Sequence, residues 1–356
     1  MRTALLATAA TLVATTISFA QDAEKTKACF VYVGPTGDFG WTYQHDEGRK
    51  QVEAELGDQV ETAFLESVPE GADAERAIER FARSGCDIIF TTSFGYMDAT
   101  NKVAARFPDV KFEHATGFKR EHPNVSTYNS KFYQGRYVLG QIAASVSESG
   151  KAGYIASFPI PEVVRGINSF TLGARSVDPD FTVTPIWVNT WFDPGKESDA
   201  AKTLVDQGFD IITQHTDSTA PMQVAAERGV KAFGQASDQI KFGPDTQLTA
   251  IIDDWGPRYV ERVKAVIDGT WSQDDHWGGL AEGDVVMAPY TNMPEDVAKA
   301  AKETEEKIRS GELEPFTGPI NKQDGSEWLA DGVRAEEGEL LGLNFYVEGV
   351  EGELPQ

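Results

Sequence analysis

Arg83-Ser84-Gly85-Cys86-Asp87-Ile88-Ile89 and Asp206-Gln207-Gly208-Phe209-Asp210-Ile211-Ile212 are the two stretches that decide the fold. Each reads as the end of an amphipathic helix, a glycine cap, and an apolar run entering a buried strand. Before the first corner, Ala74, Ala77, Ile78 and Phe81 recur at i, i+3, i+4 and i+7, while Glu75, Arg76, Glu79, Arg80 and Arg83 face outward. Working outward, strands are predicted near 29–33, 61–66, 87–91 and 111–115, with helices near 42–56, 71–84 and 96–106. The alternation restarts at Lys151, giving strands near 182–188, 209–213 and 231–234 and helices near 162–176, 197–207 and 219–228. Strands alternating with helices imply an α/β chain with parallel, doubly wound sheets. The repeated corner makes two similar lobes rather than one large sheet.

The chain is expected to cross between lobes near 129–133, near 252–257, and between Asp284 and Thr291. The last crossing would return a helix at 294–309, and an irregular tail from Gly311, to the first lobe. The expected division is residues 1–20 as a signal peptide, 21–131 plus 286–356 as lobe 1, and 132–285 as lobe 2. Three crossings form a hinge, and a ligand would sit where the carboxyl ends of the strands meet.

Composition narrows the function. A chain of 356 residues carries 32 Lys plus Arg against 56 Asp plus Glu, a formal charge of -24. That excludes nucleic acid and anionic membrane surfaces as primary partners, because phosphate binding needs clustered cations. Met1-Arg2, the uncharged run Thr3 to Ala20, and small residues before Gln21 form a secretory signal, so a periplasmic location is expected. No later stretch is long and apolar enough to insert into a membrane. In an oxidising compartment Cys29 and Cys86 tend to pair. They open the first and third strands, neighbours in a 2-1-3 order, so a disulfide is geometrically possible; two buried thiols are the alternative. No cofactor or metal is expected, and a monomer is.

Chemistry-bearing residues cluster in strand-to-helix loops. Gly34-Pro35-Thr36-Gly37-Asp38-Phe39-Gly40-Trp41 does not match the spacing of a dinucleotide fingerprint, and Asp38 would face a pyrophosphate. It offers instead a carboxylate and an aromatic plane. Trp191 occupies the matching loop of the second lobe, so two indoles across a cleft could sandwich a flat ligand. No GxSxG elbow or HxxxH pair supports a hydrolase, and Asp274-Asp275-His276 reads as a solvated turn rather than a metal site. His215 and Asp217 follow a buried strand and so point at the cleft.

The chain resembles the basic membrane lipoprotein (BMP) family of ABC-transporter substrate-binding proteins, which includes purine-nucleoside binders. The resemblance rests on Gly37-Asp38-Phe39-Gly40-Trp41, Thr92-Ser93-Phe94-Gly95-Tyr96-Met97-Asp98-Ala99, Phe107-Pro108-Asp109-Val110-Lys111-Phe112 and Gly234-Gln235-Ala236-Ser237-Asp238-Gln239. Ala288-Pro289-Tyr290 and Pro315-Phe316-Thr317-Gly318-Pro319-Ile320 add to it. It implies a type I periplasmic-binding-protein fold and delivery of a captured ligand to a membrane permease. By position, Trp41 and Trp191 would stack the base, Asp38 and Asp238 would accept hydrogen bonds, and Ser93, Phe94, His215 and Asp217 would line the remaining walls. Relatives usually carry Asn-Asp at Gly37-Asp38, and a Lys near Asp253. A pocket richer in acceptors favours a donating ligand, so adenine is ranked first and nucleosides second. The alternatives from other classes are an exported purine hydrolase using His215 and a carboxylate, and a sensor that presents its closed form to a membrane receptor.

Overall fold

A computed structural model describes residues 25–355. The expected signal peptide at 1–20 lies outside the described residues. The first sheet is built from β1 (Thr26–Val31), α1 (Trp41–Leu56), β2 (Val60–Leu65), α2 (Ala72–Arg83), β3 (Ile88–Thr91), α3 (Met97–Ala104), β4 (Lys111–Ala115) and β5 (Val125–Ser130). The second follows with α4 (Phe132–Val146), β6 (Lys151–Ala156), α5 (Pro161–Arg175), β7 (Thr182–Trp187), α6 (Pro194–Asp206), β8 (Ile211–His215), α7 (Ala220–Arg228), β9 (Lys231–Gly234) and β10 (Gln247–Asp253). The chain then forms α8 (Gly256–Ile267), β11 (Asp275–Gly278), β12 (Val285–Met287) and α9 (Glu295–Arg309). A tail holds a small β13 (Ile320–Asn321) and β14 (Glu327–Leu329) hairpin and α10 (Glu337–Leu341).

The sheet orders are β11-β5-β4-β3-β1-β2 and β12-β10-β9-β8-β6-β7, the same winding twice. Only β12 runs antiparallel to its six-stranded sheet. Both diagnostic corners adopt the expected conformation, with Gly85 at φ 81° and Gly208 at φ 82°, a region costly for any residue bearing a Cβ. Cys29 and Cys86 form a disulfide with a Cα separation of 6.0 Å, since β1 and β3 are neighbours. In the second lobe α4 and α5 pack closely. A Cβ on Gly140 would come within 2.0 Å of the Phe170 carbonyl, and one on Gly173 equally close to that of Tyr137.

The expected division of the chain needs correction. The crossings fall between Ser130 and Phe132, between Asp253 and Gly256, and between Gly278 and Val285. The helix α8 thus belongs to the first lobe, where it packs on α1. There Arg262 Nε lies 2.5 Å and Arg258 Nη2 3.2 Å from the fully buried Glu113 carboxylate of β4. A buried carboxylate demands such partners, and they hold α8 to this sheet. An odd number of crossings from the first lobe must end in the second. So α9 packs on α4, and the tail lies on the second lobe rather than the first. There Arg165 Nη1 donates to the Leu340 carbonyl at 2.7 Å, Asn168 Nδ2 to that of Phe345 at 2.8 Å, and Val350 bridges Val183 on the edge strand β7.

Candidate functional site

The carboxyl ends of the two sheets face each other across a cleft with about 350 Å³ of space free of protein atoms. Val33, Trp41, Ser93, Phe94 and Thr116 line it from the first lobe, and Glu162, Trp191, His215, Asp217 and Gln235 from the second. The lobes touch at its flanks. Gly40 lies against the Asp217 backbone, where an added Cβ would come within 2.4 Å of the carbonyl oxygen. The Phe39 carbonyl accepts hydrogen bonds from Ser237 Oγ and, at 3.2 Å, from Gln239 Nε2. On the other side Trp191 Nε1 donates to Glu70 Oε1 at 3.3 Å.

Six residues expected at the site are brought together around this cavity: Trp41, Ser93, Phe94, Trp191, His215 and Asp217. Trp41 opens α1, and its Nε1 donates to the Thr92 carbonyl at 2.7 Å, which fixes the indole plane. Its ring meets those of His45 and Trp255 edge-on at 4.4 and 5.4 Å. Trp191 is held by the Phe158 ring at 5.2 Å. Ser93 Oγ is turned onto Glu70 Oε1 at 2.5 Å.

Two expected acceptors are placed elsewhere. Asp38 is buried, and its carboxylate accepts from the backbone N–H groups of Gly40, Tyr43 and Thr42 at 2.8, 2.9 and 3.1 Å. It caps the start of α1, where the free amides of a helix N-terminus draw a carboxylate. Asp238 likewise serves its own turn, accepting from Ile240 N at 3.0 Å and Gln247 Nε2 at 2.7 Å.

Sequence reasoning missed Glu162, Gln235 and Thr116. Glu162 lies in the first turn of α5, directly after β6, the same kind of position that singled out Trp41 and Trp191. Its Oε1 sits 3.4 Å from His215 Nε2, and its Oε2 has no partner. Burial lowers the His215 pKa, so the ring is neutral and directs its Nε2–H at Glu162, leaving Nδ1 as an unpartnered acceptor. Asp217 Oδ2 is also unpartnered, and burial raises that carboxyl well above the usual range. Behind the wall the buried Arg136 bonds Thr213 Oγ1 at 3.3 Å and Gln235 Oε1. The residues Asp274, Asp275 and His276 are engaged by Arg258, Arg120 and Asp284 respectively, and no cluster suited to a metal exists among the described residues.

Two aromatic planes and unpartnered polar atoms in a two-lobed cleft are binding features. Residues 25–314 match the family described as ABC transporter substrate-binding protein PnrA-like. The chain belongs to this family. Its members are binding proteins, not enzymes, so the hydrolase alternative falls away. This binding protein is 68% identical, over 94% of its length and 95% of the other's, to a protein of Brucella abortus named purine-binding protein BAB2_0673. It is 38% identical, over 94% of its length and 82% of the other's, to a Haloferax volcanii protein provisionally named an ABC transporter glucose-binding protein. Among solved structures, a solute-binding protein of an ABC transporter system from Aeropyrum pernix shares the fold with a TM-score of 0.70 at 22% identity, covering 81% of this chain and 92% of that one.

Proposed function

We propose that this binding protein captures a purine, adenine before nucleosides, between its lobes and hands it to the permease of an ABC importer on the outer side of the membrane. The observation that carries the ligand class is the second-lobe wall, where Glu162 Oε2, His215 Nδ1 and Asp217 Oδ2 stand unpartnered in residues of the same cavity that Trp41 and Trp191 line. Buried polar atoms without partners are costly, so a ligand that supplies hydrogen bonds and presents flat faces is the natural occupant. A purine with an exocyclic amine does both. The purine-binding relative supports the same class.

Mechanistically, ligand contacts to both lobes give the closed form the higher affinity, and the closed form is what a permease would recognise. The test is mass spectrometry of small molecules released on denaturing freshly purified protein, followed by calorimetry with adenine, guanine, adenosine, inosine and glucose. Adenine binding tightest supports the reading. Glucose or a nucleoside binding far more tightly than any base overturns it.

A further inference from the structure

Asp217 is the group at the cleft whose surroundings fit its assigned task least well if it is a carboxylate. It is buried on the second lobe, and the charged groups that face it are themselves carboxyls. Asp38 faces it from the turn before α1, Glu197 from α6 and Asp253 from the end of β10. Glu162 and His215, the other titratable groups lining the cavity, have their own pairing. The buried guanidinium of Arg136 acts on Asp253 and His215. Glu197 is occupied by Ser218 N and Oγ at 3.0 and 2.7 Å, and Asp38 by three backbone amides. Neither shares a proton with Asp217 through a hydrogen bond. The Trp41 backbone N–H favours the ionised form of Asp217, against desolvation and three like charges. Closure produces this situation, because Asp38 and Asp217 belong to different lobes.

We propose that Asp217 reads the base as an undissociated acid, donating its O–H to a ring nitrogen and accepting from the adjacent exocyclic amine, so that closing on adenine takes up one proton from solvent. The inference rests on the purine reading above and deepens it into a rule of specificity. A neutral carboxyl presents one donor beside one acceptor, which matches the amine-and-ring-nitrogen edge of a 6-aminopurine. A carboxylate presents two acceptors, which match the adjacent N–H donors of a 2-amino-6-oxopurine such as guanine. The proton on one side chain therefore selects the base.

The sign follows from linkage. Burial raises Asp217 well above the ordinary carboxylate range and raises Asp38 to about 6, so the closed form holds more protons than the open one. Closure is then favoured as pH falls, and the advantage is lost as pH rises toward the closed-state value of Asp217. Calorimetry of adenine binding to the full protein, in two buffers of different ionisation enthalpy, should report about one proton taken up per base near pH 7. Affinity should weaken by up to about tenfold per pH unit between about pH 6 and pH 8, and the preference for adenine over guanine should narrow over the same range. Asp217→Asn keeps one donor beside one acceptor in the same shape. It should bind adenine with no proton uptake and with an affinity that does not change between about pH 6 and pH 8. Adenine binding without proton uptake, or an Asp217→Asn protein that folds normally but loses adenine by a hundredfold, overturns the inference and leaves the purine reading standing. Failure of any purine to bind at any pH removes both.

Discussion

Replacing Gly40 by Ala tests whether the closed arrangement is what holds the ligand. The added methyl carbon would lie 2.4 Å from the Asp217 carbonyl oxygen, 2.8 Å from its Cα and 2.9 Å from its carbonyl carbon, all backbone atoms of the opposite lobe. Ordinary contact begins near 3.4 Å, so the lobes must stand about 1 Å further apart at this point. A gap of that size forfeits about a quarter to a half of the dispersion energy across it. With stacking at about 1–3 kcal/mol per ring, two indoles lose about 0.5–3 kcal/mol, and stretching an interlobe or ligand hydrogen bond removes about 1 kcal/mol more. The combined loss of about 1.5–4 kcal/mol weakens adenine binding about ten- to 700-fold. Each lobe keeps its own core, so the ligand-free protein should melt within a few degrees of the parent. Titration calorimetry with adenine measures the first quantity and scanning calorimetry the second. A Gly40→Ala protein that binds adenine as tightly as the parent would show that this interlobe contact does not limit capture.

Trp41→Ala and Trp191→Ala should each cost about 1–3 kcal/mol of adenine binding, read as a five- to 150-fold rise in Kd; affinity unchanged in both removes the sandwich. Cys29 and Cys86 are separated by 57 residues, so replacing both by Ser should lower unfolding free energy by about 4 kcal/mol in denaturant titrations, with ligand affinity preserved because Cys86 precedes β3 at the amino end of the sheet and neither cysteine lines the cleft. Glu113→Gln leaves Arg258 and Arg262 short of a buried counter-charge and should destabilise the first lobe by about 3 kcal/mol, whereas exposed pairs such as Lys299–Glu303 should register almost nothing when broken.

The architecture was legible because the signals were local. Gly85 and Gly208 end helices in a conformation that suits glycine, and the periodic Ala74, Ala77, Ile78 and Phe81 face marks a helix whose buried members form part of the core. The third crossing was misplaced because it depends on long-range pairing. Nothing around Arg258 and Arg262 announces that their partner is Glu113, about 145 residues earlier in the chain. At the site, the aromatic residues singled out in strand-to-helix loops, Trp41, Phe94 and Trp191, line the cavity, a placement that follows from the loop position alone. Carboxylates were harder, since an Asp in a turn serves backbone amides as readily as a ligand. Asp38 and Asp238 were claimed by their own turns, while Glu162 and Asp217 were left free. Gln235 stood three residues before Asp238 in a stretch already singled out, and was passed over for want of a charge.

The odd number of crossings also separates the chain ends. Lys25 leads into β1, one strand in from the edge of the first sheet, while Glu351 is hydrogen-bonded to Val183 on the edge of the second. The two ends therefore ride on different rigid bodies, and their separation must change as the cleft opens and shuts. A donor fluorophore fused ahead of residue 25 and an acceptor after residue 355 would convert that motion into an energy-transfer signal, with no label near the cavity. The topology supplies a ready-made optical reporter, and it would register closure on whatever molecule fills the cleft.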